Sequence, residues 1–163
     1  MWWRVERGGA HCDRTRGAPA KRAFTKLVEA RRARGVLAFA GDRPVGWCAF
    51  GPREDFPRVS TVRAYKGTEI PPGLWSINCF FIDKDHRGRG VARALLAAAL
   101  AACKRHGARV VEGYPVDAAK KIGAAFAWTG PRSIFDERGF RTIATPPTAR
   151  PLVRLRLRGS RAG

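Results

Sequence analysis

The sequence predicts an α/β domain, a mixed sheet with helices on its faces. Three observations carry that reading. Leu74 to Ile82 (LWSINCFFI) is an unbroken aromatic and β-branched run, the pattern of a strand buried on both faces. Beyond the polar turn 83–89, Gly90 to His106 carries Val91, Leu95, Ala98, Ala99, Ala102 and Cys103 as an apolar stripe at helical spacing, and Gly107 stops it. Arg109 to Tyr114 (RVVEGY) is a further strand, halted by Pro115.

The remaining elements follow in order. Residues 1–19 contain Gly, Arg and Pro and read as an irregular lead-in, with Trp2 to Val5 as an edge strand. Pro19 is placed to open a helix over Ala20–Arg34, in which Phe24, Leu27, Val28 and Ala30 recur at helical spacing and which Gly35 ends. Val36–Ala40 and Val45–Phe50 flank Gly41-Asp42-Arg43-Pro44, a hairpin signal. Pro52 to Gly73 holds four of the eleven prolines and reads as a long loop with one short helix, the kind of segment that often carries function. Ala118–Ala127 is weakly helical. Pro131–Arg138 is a short helix capped by Gly139, and Phe140–Thr145 and Leu152–Leu157 form a last strand pair. Residues 158–163 form a flexible basic tail. No internal repeat is visible, and the length fits one domain over 1–163.

Composition narrows the class. Hydrophobic residues make up 45% of the chain, enough for a packed core, so general disorder is excluded. The longest uncharged apolar helical run, Ala94 to Cys103, is about half the roughly 20 residues that a spanning helix needs. Glu6 and Arg7 interrupt the N-terminal stretch before it reaches signal-peptide length. Cys12, Cys48, Cys79 and Cys103 form no CxxC pair, which argues against a zinc ribbon or other metal site and against a disulfide framework. The expectation is a reduced, cytoplasmic protein with no membrane contact. The 32 cations against 13 anions give +19, a field that draws phosphate and nucleic acid. Only seven of those cations are lysines, so the arginine excess is equally compatible with a GC-rich genome.

Chemistry concentrates in Ile82-Asp83-Lys84-Asp85-His86-Arg87-Gly88-Arg89-Gly90-Val91-Ala92. A buried strand runs into a Gly- and Arg-rich turn that opens directly onto a helix. The first N–H groups of that helix lack intrahelical partners, and with the helix dipole they form an anion site. The P-loop pattern is absent, and the dinucleotide fingerprint fails because residue 93 is Arg.

Arg87-x-x-Gly90-x-Ala92 at a strand-to-helix junction resembles the pyrophosphate-binding RxxGxG/A motif of the GNAT superfamily, the acyl-CoA-dependent N-acyltransferases. Nearly the whole chain follows that family's order of elements, through to Arg138-Gly139-Phe140. The resemblance implies a mostly antiparallel mixed sheet with helices on both faces, splayed between strand 74–82 and strand 109–114. It implies acetyl-CoA as cosubstrate, with the pantetheine arm pairing along Phe80, Phe81 and Ile82. The pyrophosphate would lie on Arg87, Gly88, Arg89, Gly90, Val91 and Ala92.

Glu112 is a carboxylate in an otherwise apolar strand, sharing a face with Val110 and Tyr114. Two readings stand side by side: a general base acting on the acceptor amine directly or through water, and a structural pair with one of the many arginines. Where many family members carry a proton-donating tyrosine, four residues before the glycine of Gly139-Phe140, this chain has Phe135. Tyr114 or Ser133 would then supply the proton, or the thiolate leaves without one. Cys79 reads as a buried structural cysteine rather than a nucleophile, and Trp75 as core or as the floor of the acceptor pocket.

The function expected is acetyl transfer from acetyl-CoA to a primary amine of an unidentified acceptor, in a ternary complex. A polycationic acceptor would require Glu54, Asp55, Glu69 and Glu112 to make the cleft locally acidic. The alternative is a nucleic-acid-associated protein of the same fold, either an aminoacyl-tRNA-acetylating toxin or a non-catalytic binding module. A homodimer is left open.

Overall fold

LWSINCFFI forms the third strand of a single six-stranded sheet. The computed structural model describes residues 4, 17–117, 127–147 and 149–157. In chain order the elements are α1 (Ala18–Glu29), β1 (Arg34–Ala40), β2 (Arg43–Pro52), α2 (Pro57–Thr61), β3 (Leu74–Ile82), α3 (Val91–Arg105), β4 (Val110–Gly113), α4 (Arg132–Asp136), β5 (Arg141–Ala144) and β6 (Leu152–Arg156). The sheet order is β1-β2-β3-β4-β6-β5. All neighbours are antiparallel except β3 and β4, which α3 joins as a parallel crossover.

α3 turns its stripe onto one face of the sheet. Leu95, Leu96, Ala99, Ala102 and Cys103 pack with Cys48, Phe50, Ile77, Phe80 and Val111 in the main core. Trp75 is part of this core, stacked on His106 with 5.6 Å between ring centroids. On the opposite face Phe24 of α1 meets Trp47 edge-on at 5.6 Å, and a smaller core gathers Phe56, Val59, Tyr65, Tyr114 and Leu152.

Three elements depart from the sequence expectation. The first helix stops at Glu29, short of Arg34, and Gly35 lies inside β1. Its end is a Schellman turn: Arg32 N–H donates to the Leu27 carbonyl at 2.8 Å and Arg31 N–H to the Val28 carbonyl at 2.9 Å. Arg31 takes the left-handed position that glycine normally fills, at φ 54°. The 52–73 loop contains two 3₁₀ turns, Arg53–Asp55 and Arg63–Tyr65, in addition to α2. In β6, where arginines 154 and 156 alternate with Val153, Leu155 and Leu157 in the pattern of a half-exposed strand, Arg154 turns its guanidinium inward onto Glu112. The expected edge strand Trp2–Val5 (apart from Arg4), most of the weak helix 118–127 and the tail 158–163 lie outside the described residues.

Gly113 closes β4 directly beneath Phe135, where an added Cβ would run into the ring. Gly113→Ala is therefore expected to cost about 1–3 kcal/mol by overpacking, read as a lower urea midpoint with an unchanged slope. An unshifted midpoint would mean that the Phe135 ring has room to move.

Candidate active site

The sheet splits along β3. Ladder pairing with β4 runs from Leu74↔Val110 to Ile77↔Gly113 and stops there, while β3 continues five residues to Ile82. At the point of separation β3 bulges: Ile77 pairs with Phe50 and Cys79 with Ala49, leaving Asn78 as the extra residue. The splay expected between these two strands is thus present, and the segment after residue 126 borders it. Val116 N–H donates to the Gly130 carbonyl at 2.8 Å, and Phe80 N–H donates to the Trp128 carbonyl at 2.6 Å. That last bond engages the Phe80 N–H within the fold. The Phe80 carbonyl and the Ile82 N–H remain on the same strand edge, facing away from β2.

The turn after β3 is held on both sides. Asp83 accepts from Asp85 N–H at 3.0 Å and from Arg43 Nη2 at 2.8 Å. The Asp85 amide, the larger influence, and Arg43 hold the Asp83 carboxyl below its ordinary range. Gly88 and Gly90 sit at φ 73° and 78°, a left-handed pair that swings the chain into α3 without a side-chain penalty. The first helical bond runs from Ala94 N–H to the Gly90 carbonyl, so the N–H groups of Val91, Ala92 and Arg93 point out of the helix end. Arg87 Nε reaches the Ile82 carbonyl at 3.3 Å, and Arg93 is clamped by Glu137 through two 2.8 Å bonds.

These groups line a cleft of about 460 Å³ that runs from the strand edge to the helix end. Of the nine residues expected to meet the cofactor, Phe80, Phe81, Ile82, Arg87, Gly88, Gly90, Val91 and Ala92 border it together; Arg89 does not. The facing wall comprises Trp128, Gly130, Pro131, Ser133 and Ile134, of which the sequence singled out only Ser133 as a donor. Gly130, at φ 84°, was the signal for that wall: a Cβ there would meet the Phe80 ring at 3.1 Å.

Glu112 and Tyr114 do share a face, as the strand alternation predicts, yet neither borders this cleft. Glu112 is 1% exposed. Its Oε1 lies 2.7 Å from Arg53 Nε and accepts from Ser76 Oγ at 3.1 Å and from the Tyr114 hydroxyl; its Oε2 lies 3.1 Å from Arg154 Nη2. Both carboxylate oxygens are thus engaged by donors inside the fold, and of the two readings of Glu112 the geometry favours the ion pair. Tyr114 is fully buried, and burial first, then the Glu112 charge, push its phenol well above the ordinary range. Burial likewise pushes its neighbour Tyr65 up to about 12.

These shifts have a sign. Unfolded tyrosines release protons near pH 10 while both native ones retain them, so the unfolded state binds fewer protons above that pH. Stability contributed below pH 10 should be lost as the pH rises through and beyond it, and Tyr114→Phe should flatten the fall in a urea series between pH 9 and 11. An equally steep fall in the variant would assign the transition to other groups.

Phe135 is fully buried, its ring edge-on to Phe80 and Phe140, and offers packing alone. Burial raises the Cys79 thiol pKa, against nucleophilic use. Of the acids invoked for an acidic cleft, Asp55 faces Arg34 at 3.5 Å and Glu112 faces two arginines. Among the described residues no helix is long and apolar enough to cross a membrane, and no group of three His, Cys, Asp or Glu is placed to hold a metal.

A strand that leaves its neighbour and runs into a helix-end anion site is the arrangement expected from the resemblance to the GNAT superfamily, and comparison with known proteins identifies that family. The family model described as Acetyltransferase (GNAT) family matches residues 3–121. The chain belongs to that family. Among solved structures, yncA from Salmonella typhimurium, determined with its cofactor acetyl-CoA, superposes with a TM-score of 0.58 at 16% identity, covering 92% of this chain and 79% of that one. PaiA N-acetyltransferase from Thermoplasma acidophilum, in complex with coenzyme A, gives 0.56 at 11% identity over 90% and 74%. A GCN5-related N-acetyltransferase from Kribbella flavida gives 0.51 at 20% over 77% and 68%. At these identities the likeness concerns the fold. No curated protein matches the chain.

Proposed function

We propose that the protein transfers an acetyl group from acetyl-CoA to a primary amine by direct attack in a ternary complex. The observation that carries this reading is the cleft itself, a split sheet whose free strand edge leads to three outward N–H groups at the start of α3. The residues fit the cosubstrate. Phe80, Phe81 and Ile82 would lie along the pantetheine, using the Phe80 carbonyl and Ile82 N–H. Arg87, Gly88, Gly90, Val91 and Ala92 would hold the pyrophosphate, with Arg89 adding charge from the turn. When bound, acetyl-CoA supplies an activated acetyl group on a thiol leaving group.

Glu112 and Tyr114 belong in this proposal to the support of the splay rather than to proton transfer, because their polar atoms are committed to one another and to Arg53, Arg154 and Ser76. Among the described residues Ser133 is the hydroxyl that borders the cleft, which makes it the better candidate to accompany the departing sulfur. The two fold relatives solved with CoA species support the cosubstrate class. Isothermal titration with acetyl-CoA tests the proposal. One site per chain is the expected result, and no binding at millimolar ligand by a folded protein would overturn it.

A further inference from the structure

A second cavity, of about 480 Å³, lies across β3 from the cofactor cleft. The two adjoin: Cys79 lines one and Phe80 the other, and Trp128 borders both. Its walls are aromatic, with Phe24, Trp47, Phe56 and Trp128. Two cations, Arg4 and Lys21, line it, and no carboxylate does so among the described residues.

Two buried polar side chains in this cavity carry atoms without hydrogen-bond partners among the described residues. Asn78, the bulge residue, is 1% exposed, and neither its Oδ1 nor its Nδ2 is bonded. Arg4 has a side chain 7% exposed and lies over the Phe56 ring at 4.4 Å. Its Nη1 donates to the Arg32 carbonyl at 3.0 Å and approaches Asp55 at 3.9 Å, while its Nη2 is unbonded. Native proteins leave few such groups unmatched, and two of them lining one cavity mark a place where a ligand completes the bonds.

Resting on the acyltransfer reading, we propose that the acceptor is an amino acid with an apolar side chain, a small amine carrying a carboxylate, and that Arg4 and Asn78 recognise its polar groups. The carboxylate accepts from Arg4 Nη2 and Asn78 Nδ2, the amine donates to Asn78 Oδ1, and the aromatic walls take the side chain. The amine nitrogen, entered in its neutral form, forms the new N–C bond as the thioester C–S bond breaks. Sulfur departs with the bonding pair, and the proton lost by the amine passes to water. A polycation such as a polyamine would meet Arg4 and Lys21 and is disfavoured.

The test compares L-phenylalanine with L-phenylalaninamide and spermidine as acceptors for the wild-type chain, measuring kcat/KM by thiol release and confirming the N-acetyl product by mass. The free acid should exceed the uncharged amide at least tenfold, since a site built to bind a group rejects the analogue lacking it. Arg4→Gln should remove that preference while leaving acetyl-CoA affinity unchanged. A readout independent of turnover is tryptophan fluorescence: N-acetyl-L-phenylalanine should perturb it through Trp47 and Trp128, and its amide should do so at least tenfold more weakly. Equal binding of acid and amide, no binding of either, or a preference for spermidine would overturn the proposal. Failure of acetyl-CoA to bind in titration would instead remove the acyltransfer reading beneath it.

Discussion

Glu112→Ala should cost about 3–5 kcal/mol, the range for removing one partner of a buried ion pair. The variant would leave Arg53 and Arg154, with side chains 9% and 11% exposed, facing each other across an empty site. Ser76 and Tyr114 would lose their acceptor as well. A domain of this kind has only about 5–15 kcal/mol of stability, so the variant should be largely unfolded at modest urea or insoluble when expressed. Glu112→Gln keeps the shape and one carbonyl acceptor, and should fall between wild type and alanine. The same variant separates the two roles. If it stays folded and binds acetyl-CoA but loses turnover by 10²-fold or more, Glu112 acts as the general base after all.

Gly90→Asp should weaken acetyl-CoA binding at least tenfold. A carboxylate about 4 Å from a phosphate is opposed by ~4 kcal/mol at an effective dielectric of 20, and solvent at this open helix end reduces that figure. The fold should survive the change, because nothing lies within 4 Å of the added Cβ. The φ of 78° is also one that aspartate and asparagine tolerate better than other side chains. Gly90→Asn carries the same backbone cost of roughly 1–2 kcal/mol without the charge, so the difference between the two variants isolates the electrostatic part. Identical affinities for Asp and Asn would place the phosphates elsewhere.

The parts of the molecule legible in the sequence are those fixed by local pattern. The stripe of α3, the buried run of β3 and the glycine pair at its end each encode their own geometry, and the anion site follows from their order alone. Arg31 shows where this stops: its left-handed φ closes a helix that no glycine announces. The partners of Glu112 were invisible for a different reason. Arg53, Ser76 and Arg154 come from three separate segments, and only the sheet register brings Ser76 and Arg154 opposite Glu112. Asn78 gains its position from a bulge that no residue type specifies, and Arg4 reaches the same cavity from the far end of the chain. Gly113 likewise owes its place to tertiary packing, since the Phe135 ring that lies over it comes from a separate segment.

Mass spectrometry of the chain mixed with acetyl-CoA, recorded once under native and once under denaturing conditions, distinguishes direct transfer from an acyl-enzyme. Direct transfer predicts one acetyl-CoA bound per chain in the native spectrum and an unmodified chain mass after denaturation. A native spectrum without the adduct, or an acetyl group retained covalently on Cys79 after denaturation, would contradict it.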